Sequence, residues 1–356
     1  MHHVMIYPAT YENCRAAVDR AFELFPLDVA GRKVVIKPNV LRSSTAKEHI
    51  VTNPAVLLAV IEKIEEMSAA EIIVGDNPGL FNYGDNENCF KTTGLMAASK
   101  GYYRNIGDTS QHLPFHPDFM PKVGVSKEIM EADIVISLPK FKTHGLTVMT
   151  GAIKNSYGIL PGAQKAQLHK LAGTPQRFHD VITEVFRLRV PDLFIMDAVI
   201  GMEGNGPASP DLREIGLILA ADNGVAMDAV VARMMGLDPT RLRFLQKAKE
   251  YGLGDFDADQ IEIEGDFCVL PDFKLPPLGG EAIAANANIQ EMLHSKTQVR
   301  PRANPDLCTA CEACVEQCPA DALSMNSSDI PVVDEQLCIA CFCCQEICPE
   351  KAISLN

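Results

Sequence analysis

The chain has 356 residues, with 32 Lys plus Arg against 46 Asp plus Glu and a formal net charge of −14. That acidity argues against a polyanionic partner such as duplex DNA, which is met by a basic face. Hydrophobic residues at 47% and charged residues at 22% exclude bulk disorder, and at roughly 100–200 residues per domain the length suggests two or three domains.

The predicted elements alternate between strand and helix. Residues 4–7 are a short apolar run, followed by a helical pattern over 12–25. KVVIK at 33–37 is a β-branched strand that ends at Pro38. Asn53-Pro54 then opens a helix, with Asn53 as N-cap, Pro54 at the first helical position, and Leu57, Val60, Ile61 and Ile64 as the buried stripe. Further strands are predicted at 72–74, 134–138, 193–196 and 215–219, and a helix over 225–235 with Asn223 or Asp222 as its cap. Short apolar strands separated by helical patterns predict an α/β fold, a mostly parallel sheet with flanking helices. No apolar run approaches the roughly 18 residues needed to cross a bilayer. The first residues, MHHVMIYPAT, lack the basic flank of a leader peptide. The expectation is a cytoplasmic protein with no membrane partner.

A proline-rich stretch at 271–277 and a helical, then polar, stretch over 281–300 mark the join to a smaller C-terminal unit. The expected division is an α/β domain over 1–285, a connecting segment over 286–300 and a small α+β domain over 301–356.

Of twelve cysteines, Cys14, Cys89 and Cys268 precede residue 300 and have no ligand spacing; the other nine fall between Cys308 and Cys348. The tail reads C-x2-C-x2-C-x3-C-P twice: Cys308, Cys311, Cys314, Cys318 and Pro319, then Cys338, Cys341, Cys344, Cys348 and Pro349, thirty positions on. This duplication resembles the bacterial two-cluster ferredoxin module and predicts two [4Fe–4S] clusters. In that spacing three thiolates wrap one cube and the fourth reaches the other. Cluster one is expected on Cys308, Cys311, Cys314 and Cys348, and cluster two on Cys338, Cys341, Cys344 and Cys318. Zinc more often takes two cysteine pairs than two runs of four. Cys343 stands where the first repeat has Ala313 and is expected to be a small buried residue.

In an open α/β sheet, ligands bind beyond the carboxyl ends of the strands. The strand at 134–138 ends at Pro139, and Lys140, Lys142, Thr143 and His144 are expected in the loop beyond it, ahead of Lys154-Asn155. This concentrates positive charge at one edge of an acidic protein and suits a carboxylate or phosphate. Lys37-Pro38-Asn39, GDNPG at 75–79 and DAVIGMEGNGP at 197–207 leave strands in the same way, with Asp197 and Glu203 available for acid/base work or a divalent ion. No G-x-G-x-x-G follows a strand, and neither a Walker loop nor a nucleophile elbow is present.

The motifs KPN at 37–39, SLPKFKTH at 137–144, GAIKNSYG at 151–158 and MEGNGP at 202–207 resemble the DUF362 family, whose members are often fused to a two-cluster ferredoxin tail. The stretch 132–162 is also similar to the N-terminal domain of nickel-dependent lactate racemases. That resemblance implies a pocket shared by Lys154, His144 and His169, the last in a helix beginning near Gln164. The sequence departs from the racemase pattern by placing Asn155-Ser156-Tyr157-Gly158 between the lysine and ILPG, so the fold and the pocket carry over and the nickel chemistry does not.

The reading is an iron–sulfur redox protein whose tail relays single electrons to or from a substrate or partner bound at an anion-favouring pocket of the α/β domain, with a redox partner protein and a small anionic substrate as the expected partners. The pocket is expected to use Lys37, Asn39, Lys140, Lys142, Lys154, Asn155 and His169, with His144 as proton donor and Asp197 and Glu203 opposite. The alternatives are an isomerase- or lyase-like enzyme with structural clusters, and an electron carrier or redox sensor. A further metal, flavin or other small cofactor in the α/β domain is left open.

Overall fold

The computed structural model describes residues 1–79, 85–276, 300–338 and 343–355. The α/β domain is built on one nine-stranded mixed sheet. Its main path runs β11 (Ile261–Glu264), β1 (His2–Pro8), β10 (Leu212–Ala221), β9 (Leu193–Met202), β6 (Ile134–Leu138), β2 (Lys33–Pro38) and β3 (Glu71–Val74). The strands β3, β2, β6 and β9 are parallel neighbours, while β1 and β10 enter antiparallel.

Side-chain alternation places an apolar layer on each face. Val35, Val135, Phe194 and Met196 join one core. Val34, Ile36, Ile134, Ile136, Leu193 and Ile195, their neighbours on the same strands, join the other. The second core is closed by α1 (Cys14–Leu24) and α2 (Pro54–Glu66). Asn53 caps α2 by accepting from the Ala55 amide, and Leu57, Val60, Ile61 and Ile64 are all fully buried. The first core is closed by α8 (Pro175–Leu188), α9 (Gly224–Met234) and α10 (Arg243–Glu250). Thr174 caps α8 and Asn223 caps α9.

Two stretches expected as loops are strands. Lys140–His144 forms β7, buried at every position, beside the second half of β9. Strand β9 itself runs on from Met196 to Met202. Pro139 only offsets the chain: Asp197 donates its amide to the Pro139 carbonyl, and pairing resumes at Lys140 opposite Asp197. Lysines at alternate positions read as solvated residues, but each finds a buried partner here. A short β8 (Val148–Thr150) returns against β7 and leads into a one-turn helix, Ala152–Asn155. These pieces stand at the carboxyl ends of β2, β3 and β6.

The tail is a duplicated unit. Pro301–Ala303 pairs with Ile353–Leu355, and Leu323–Met325 with Pro331–Val333. The first strand of each repeat thus pairs with the last strand of the other. The hydrogen bonds repeat at the same offset: Asn304 donates to the Ala352 carbonyl as Asp334 does to Ala322. The predicted helix and connecting segment between residues 277 and 299 lie outside the described residues, as does Cys341.

Candidate functional site

Crossed strand pairing carries the last cysteine of each repeat towards the start of the other. Cys308, Cys311, Cys314 and Cys348 consequently line a single cavity, together with Met325, Pro331 and Ile353. None of the described cysteines is in a disulfide. The Ala352 amide donates to the Cys348 sulfur at 3.2 Å, and the Ala322 amide to the Cys318 sulfur at 3.2 Å, the same contact in both repeats. Burial pushes the Cys314 thiol up to about 11, and the neighbouring cysteines add to it. Four sulfurs around one hollow, costly to ionise without a shared cation, fit an iron–sulfur cube. Cys338 and Cys344 belong to the repeat-related set, whose Cys341 is outside the described residues.

A larger cleft, about 710 Å³ including its open mouth, lies between the sheet edge and the tail. Asn39 from the end of β2, Asp76 and Asn77 from the turn after β3, and Lys142 from β7 form its floor. Lys154, Asn155 and Gly158 follow from the short helix and the turn after it, and Lys165 and His169 from α7 (Gln164–Ala172). Cys343 and Ile347 close the other side, from the tail helix Cys343–Ile347. Gln345 of that helix donates to the Asn205 carbonyl at 3.2 Å, and Lys351 stands 3.8 Å from Glu48, so the tail is fastened to the α/β domain.

Polar side chains make a continuous network below the cleft. Lys142 Nζ donates to Asn39 Oδ1 at 2.9 Å and to the Ile50 carbonyl at 2.7 Å. Asn39 Nδ2 donates to Asn155 Oδ1 at 3.0 Å, and Asn155 Nδ2 to Ser137 Oγ at 2.9 Å. Lys37 Nζ stands 2.6 Å from Asp76 Oδ1, while Asp76 Oδ2 accepts from the Val40 amide. Lys165 Nζ donates to the carbonyls of Asn77, at 2.6 Å, and Pro78. Burial pushes Lys165 down to about 7; Asp76 opposes this, and Lys37 and Lys154 reinforce it. Lys37 is likewise lowered by burial against the pull of Asp76. Among the described residues that line the cleft, Lys142, Lys154 and Lys165 are the lysines and Asp76 is the carboxylate, paired with Lys37.

Of the residues singled out from sequence, Asn39, Lys142, Lys154, Asn155 and His169 line this cleft, and Lys37 lies just beneath it. The His169 ring stacks on Phe178 at 4.0 Å and meets Tyr157 edge-on. Four other residues are placed elsewhere. Lys140 and Asp197 form a fully buried ion pair at 2.7 Å, completed by the Tyr11 hydroxyl and the Asn53 amide. Glu203 pairs with Arg213 at 3.3 Å and accepts from the Lys274 amide. His144 is buried, and its Nδ1 accepts from the amides of Leu146 and Thr147, which closes the β7–β8 turn. Sequence reading missed Lys165 and Asp76 as site residues. GDNPG at the end of β3 was the available signal for Asp76; Lys165 lay in a helix with no motif to mark it. Cys343 is buried as expected, but it also faces the cleft.

The described helices include none long and apolar enough to cross a membrane. The family described as a domain of unknown function, DUF362, matches residues 34–233, and a 4Fe-4S dicluster domain matches residues 290–352. Thylakoid-associated protein sll1697 of Synechocystis sp. is 31% identical over 241 residues, 64% of this chain and 71% of that protein. A probable ferredoxin of Methanosarcina thermophila is 53% identical over 34 residues, 10% of this chain and 59% of the ferredoxin. A solved Thermotoga maritima protein overlaps with a TM-score of 0.40 at 12% identity, covering 68% of this chain and 60% of that one. The C-terminal domain carries [4Fe–4S] clusters and gives the chain an iron–sulfur electron-transfer role. The chain belongs to the DUF362 family, joined here to a dicluster ferredoxin domain.

Proposed function

We propose that the protein is an iron–sulfur oxidoreductase that exchanges electrons, one at a time, with a small anion bound in the lysine-lined cleft. One observation carries this reading: the helix Cys343–Ile347, part of the second cysteine run, is also a wall of the cleft that holds Lys142, Lys154 and Lys165. Cluster one is assigned to Cys308, Cys311, Cys314 and Cys348. Cluster two is assigned to Cys318, Cys338, Cys341 and Cys344, through the repeat that relates Cys318 to Cys348. The clusters supply one-electron transfer.

The chain's own residues do the rest. Lys142, Lys154 and Lys165 hold a carboxylate or phosphate and offset the negative charge that grows on it with each added electron. Asn39, Asn77 and Asn155 orient the ligand through their amides. Lys165, balanced near neutrality, and His169 stand where a proton must be delivered. Cysteines kept as cluster ligands and out of disulfides suit a reducing compartment, and the cytoplasm is the proposed location.

The test is reoxidation of the protein. Anaerobically reconstituted full chain, reduced with dithionite and desalted, is mixed with a panel of small acids bearing a reducible carbonyl or double bond. Cluster absorbance near 400 nm is followed. At least one acid should reoxidise the wild type. Lys154→Gln should slow that reaction at least tenfold, while oxidation by neutral quinone is unchanged. If no acid reoxidises the protein, or if Lys154→Gln reacts like the wild type, the reading fails.

A further inference from the structure

Lys165 is buried, yet it lines the cleft. Its Nζ donates to two backbone carbonyls in the turn after β3, those of Asn77 and Pro78. Among the described residues no carboxylate bonds to it: Asp76 stands 2.6 Å from Lys37 Nζ and accepts from the Val40 amide. Two acceptors match the two N–H bonds of a neutral amine, whereas an ammonium brings a third donor that neither carbonyl takes. The remaining corner of the nitrogen then carries a lone pair. The main chain is pinned as well, since Tyr157 Oη donates to the Lys165 carbonyl at 2.7 Å. Burial lowers the ammonium to about 7; Asp76 opposes this, Lys37 and Lys154 add to it, and Cys89 opposes it weakly. His169, one turn further along α7, lines the same cleft. A desolvated lysine beside other cations is the setting in which an amine becomes a nucleophile.

We propose that Lys165 is a catalytic nucleophile whose amine condenses reversibly with the carbonyl of a small oxo acid in the cleft, forming an imine. The nitrogen lone pair makes the new C–N bond. The carbonyl oxygen departs as water with the two amine hydrogens, and no electron is gained or lost. Hydrolysis runs the same step backwards and returns the free lysine. The protonated lysine draws the acid in, and the amine attacks once that proton has gone. At pH 7 about half of such a group is free amine, against fewer than about one in a thousand for an ordinary lysine. Asn77 and Pro78 keep a role after condensation, because a protonated imine still has one N–H to give to their carbonyls. The choice of an acid rests on the anion-binding cleft proposed above; the covalent step needs neither cluster.

Reductive trapping tests this. The anaerobically reconstituted full chain is incubated at pH 7 with glyoxylate, pyruvate or 2-oxoglutarate and cyanoborohydride, which reduces an imine to a stable secondary amine. With at least one acid, the intact protein should gain the mass of one acid less one oxygen atom. Peptide mass spectrometry should place that label on Lys165, roughly tenfold or more above exposed Lys170 on the same helix, a small part of the difference in free amine. Lys165→Arg, which keeps the positive charge, should lose the singly labelled species. If that variant fails to load its clusters, the wild-type peptide map decides alone. Label on Lys154 in place of Lys165, label spread evenly over exposed lysines, no label with any of the three acids, or a singly labelled Lys165→Arg would overturn the proposal. Trapping takes no electron from the clusters, so it succeeds or fails independently of acid-driven reoxidation.

Discussion

Lys37 Nζ and Asp76 Oδ1 meet at 2.6 Å, both groups almost fully buried, directly beneath Gly158. A Cβ on Gly158 would fall 2.1 Å from that oxygen and 2.7 Å from that nitrogen. Only glycine lets the turn after the Lys154 helix close over the pair.

Removing one member of this pair leaves the other charged and unmatched. Asp76→Ala should destabilise the protein by about 3–5 kcal/mol, in the range found for broken buried pairs. It also frees the Val40 amide that Asp76 Oδ2 accepts from. Gly158→Ala should act in the same direction by forcing the pair apart. Anaerobic denaturant unfolding measures both, and a cost below about 1 kcal/mol for Asp76→Ala would show that Lys37 finds another partner.

Anion binding in the cleft should weaken as pH rises through about 7. Burial holds the Lys165 ammonium near that value, and only the protonated amine attracts an anion. The same shift makes the folded state more stable, as far as this group is concerned, as pH rises from about 7 towards the ordinary lysine range, because there the unfolded chain binds the extra proton. Sulfate is a suitable probe, since its own charge is constant over pH 5.5–9. Its affinity, by calorimetry at fixed ionic strength, should fall across neutrality in wild type and run flat in Lys165→Met. A flat wild-type profile would contradict the assignment.

Asp228 supports the site from behind. Its two oxygens accept from the amides of Ala152, at 2.6 Å, and Ile153, at 3.0 Å, at the start of the helix that carries Lys154 and Asn155. Gly151 leaves room for it, since a Cβ there would fall 2.0 Å from Asp228 Oδ1. Burial pushes this carboxyl up to about 7 against the pull of those amides. The folded state therefore holds a proton that the unfolded state releases in the ordinary carboxylate range. The contribution of Asp228 to stability declines as pH rises from about 4 to about 7, by at most about 4 kcal/mol. Between pH 5.5 and 8, Asp228→Asn should flatten the fall in Tm seen in wild type. Parallel Tm profiles for the two proteins would remove Asp228 as the source.

Much of the fold was legible because strand and helix patterns are local. The strand at 134–138 matches its predicted limits, and Asn53-Pro54 caps its helix as read. The duplicated cysteine run was plain because eight ligands at fixed spacing have few other uses. What was hidden depends on tertiary partners. Lys140 and Lys142 look like loop lysines until Asp197 and Asn39 are seen beside them. His144 looked like a proton donor, yet backbone amides occupy its Nδ1. Lys165 carried no motif, and nothing local could bring it to Asp76 and Lys154 across the cleft. The meeting of Cys343 with that cleft is the longest-range relation of all, since it joins the tail to the sheet edge.

The central claim is that the second cluster, not the first, faces the anion. Cys318→Ala removes a proposed ligand of the second cluster from a point that does not line the cleft, and Cys348→Ala does the same for the first. Each variant is to be prepared anaerobically, checked for retention of the other cluster by iron analysis and EPR, reduced, and mixed with an acid that reoxidises wild type. The account predicts that Cys318→Ala, with its first cluster intact and reduced, no longer passes electrons to the acid, while Cys348→Ala still does so through its second cluster. Reoxidation of Cys318→Ala at the wild-type rate would contradict it.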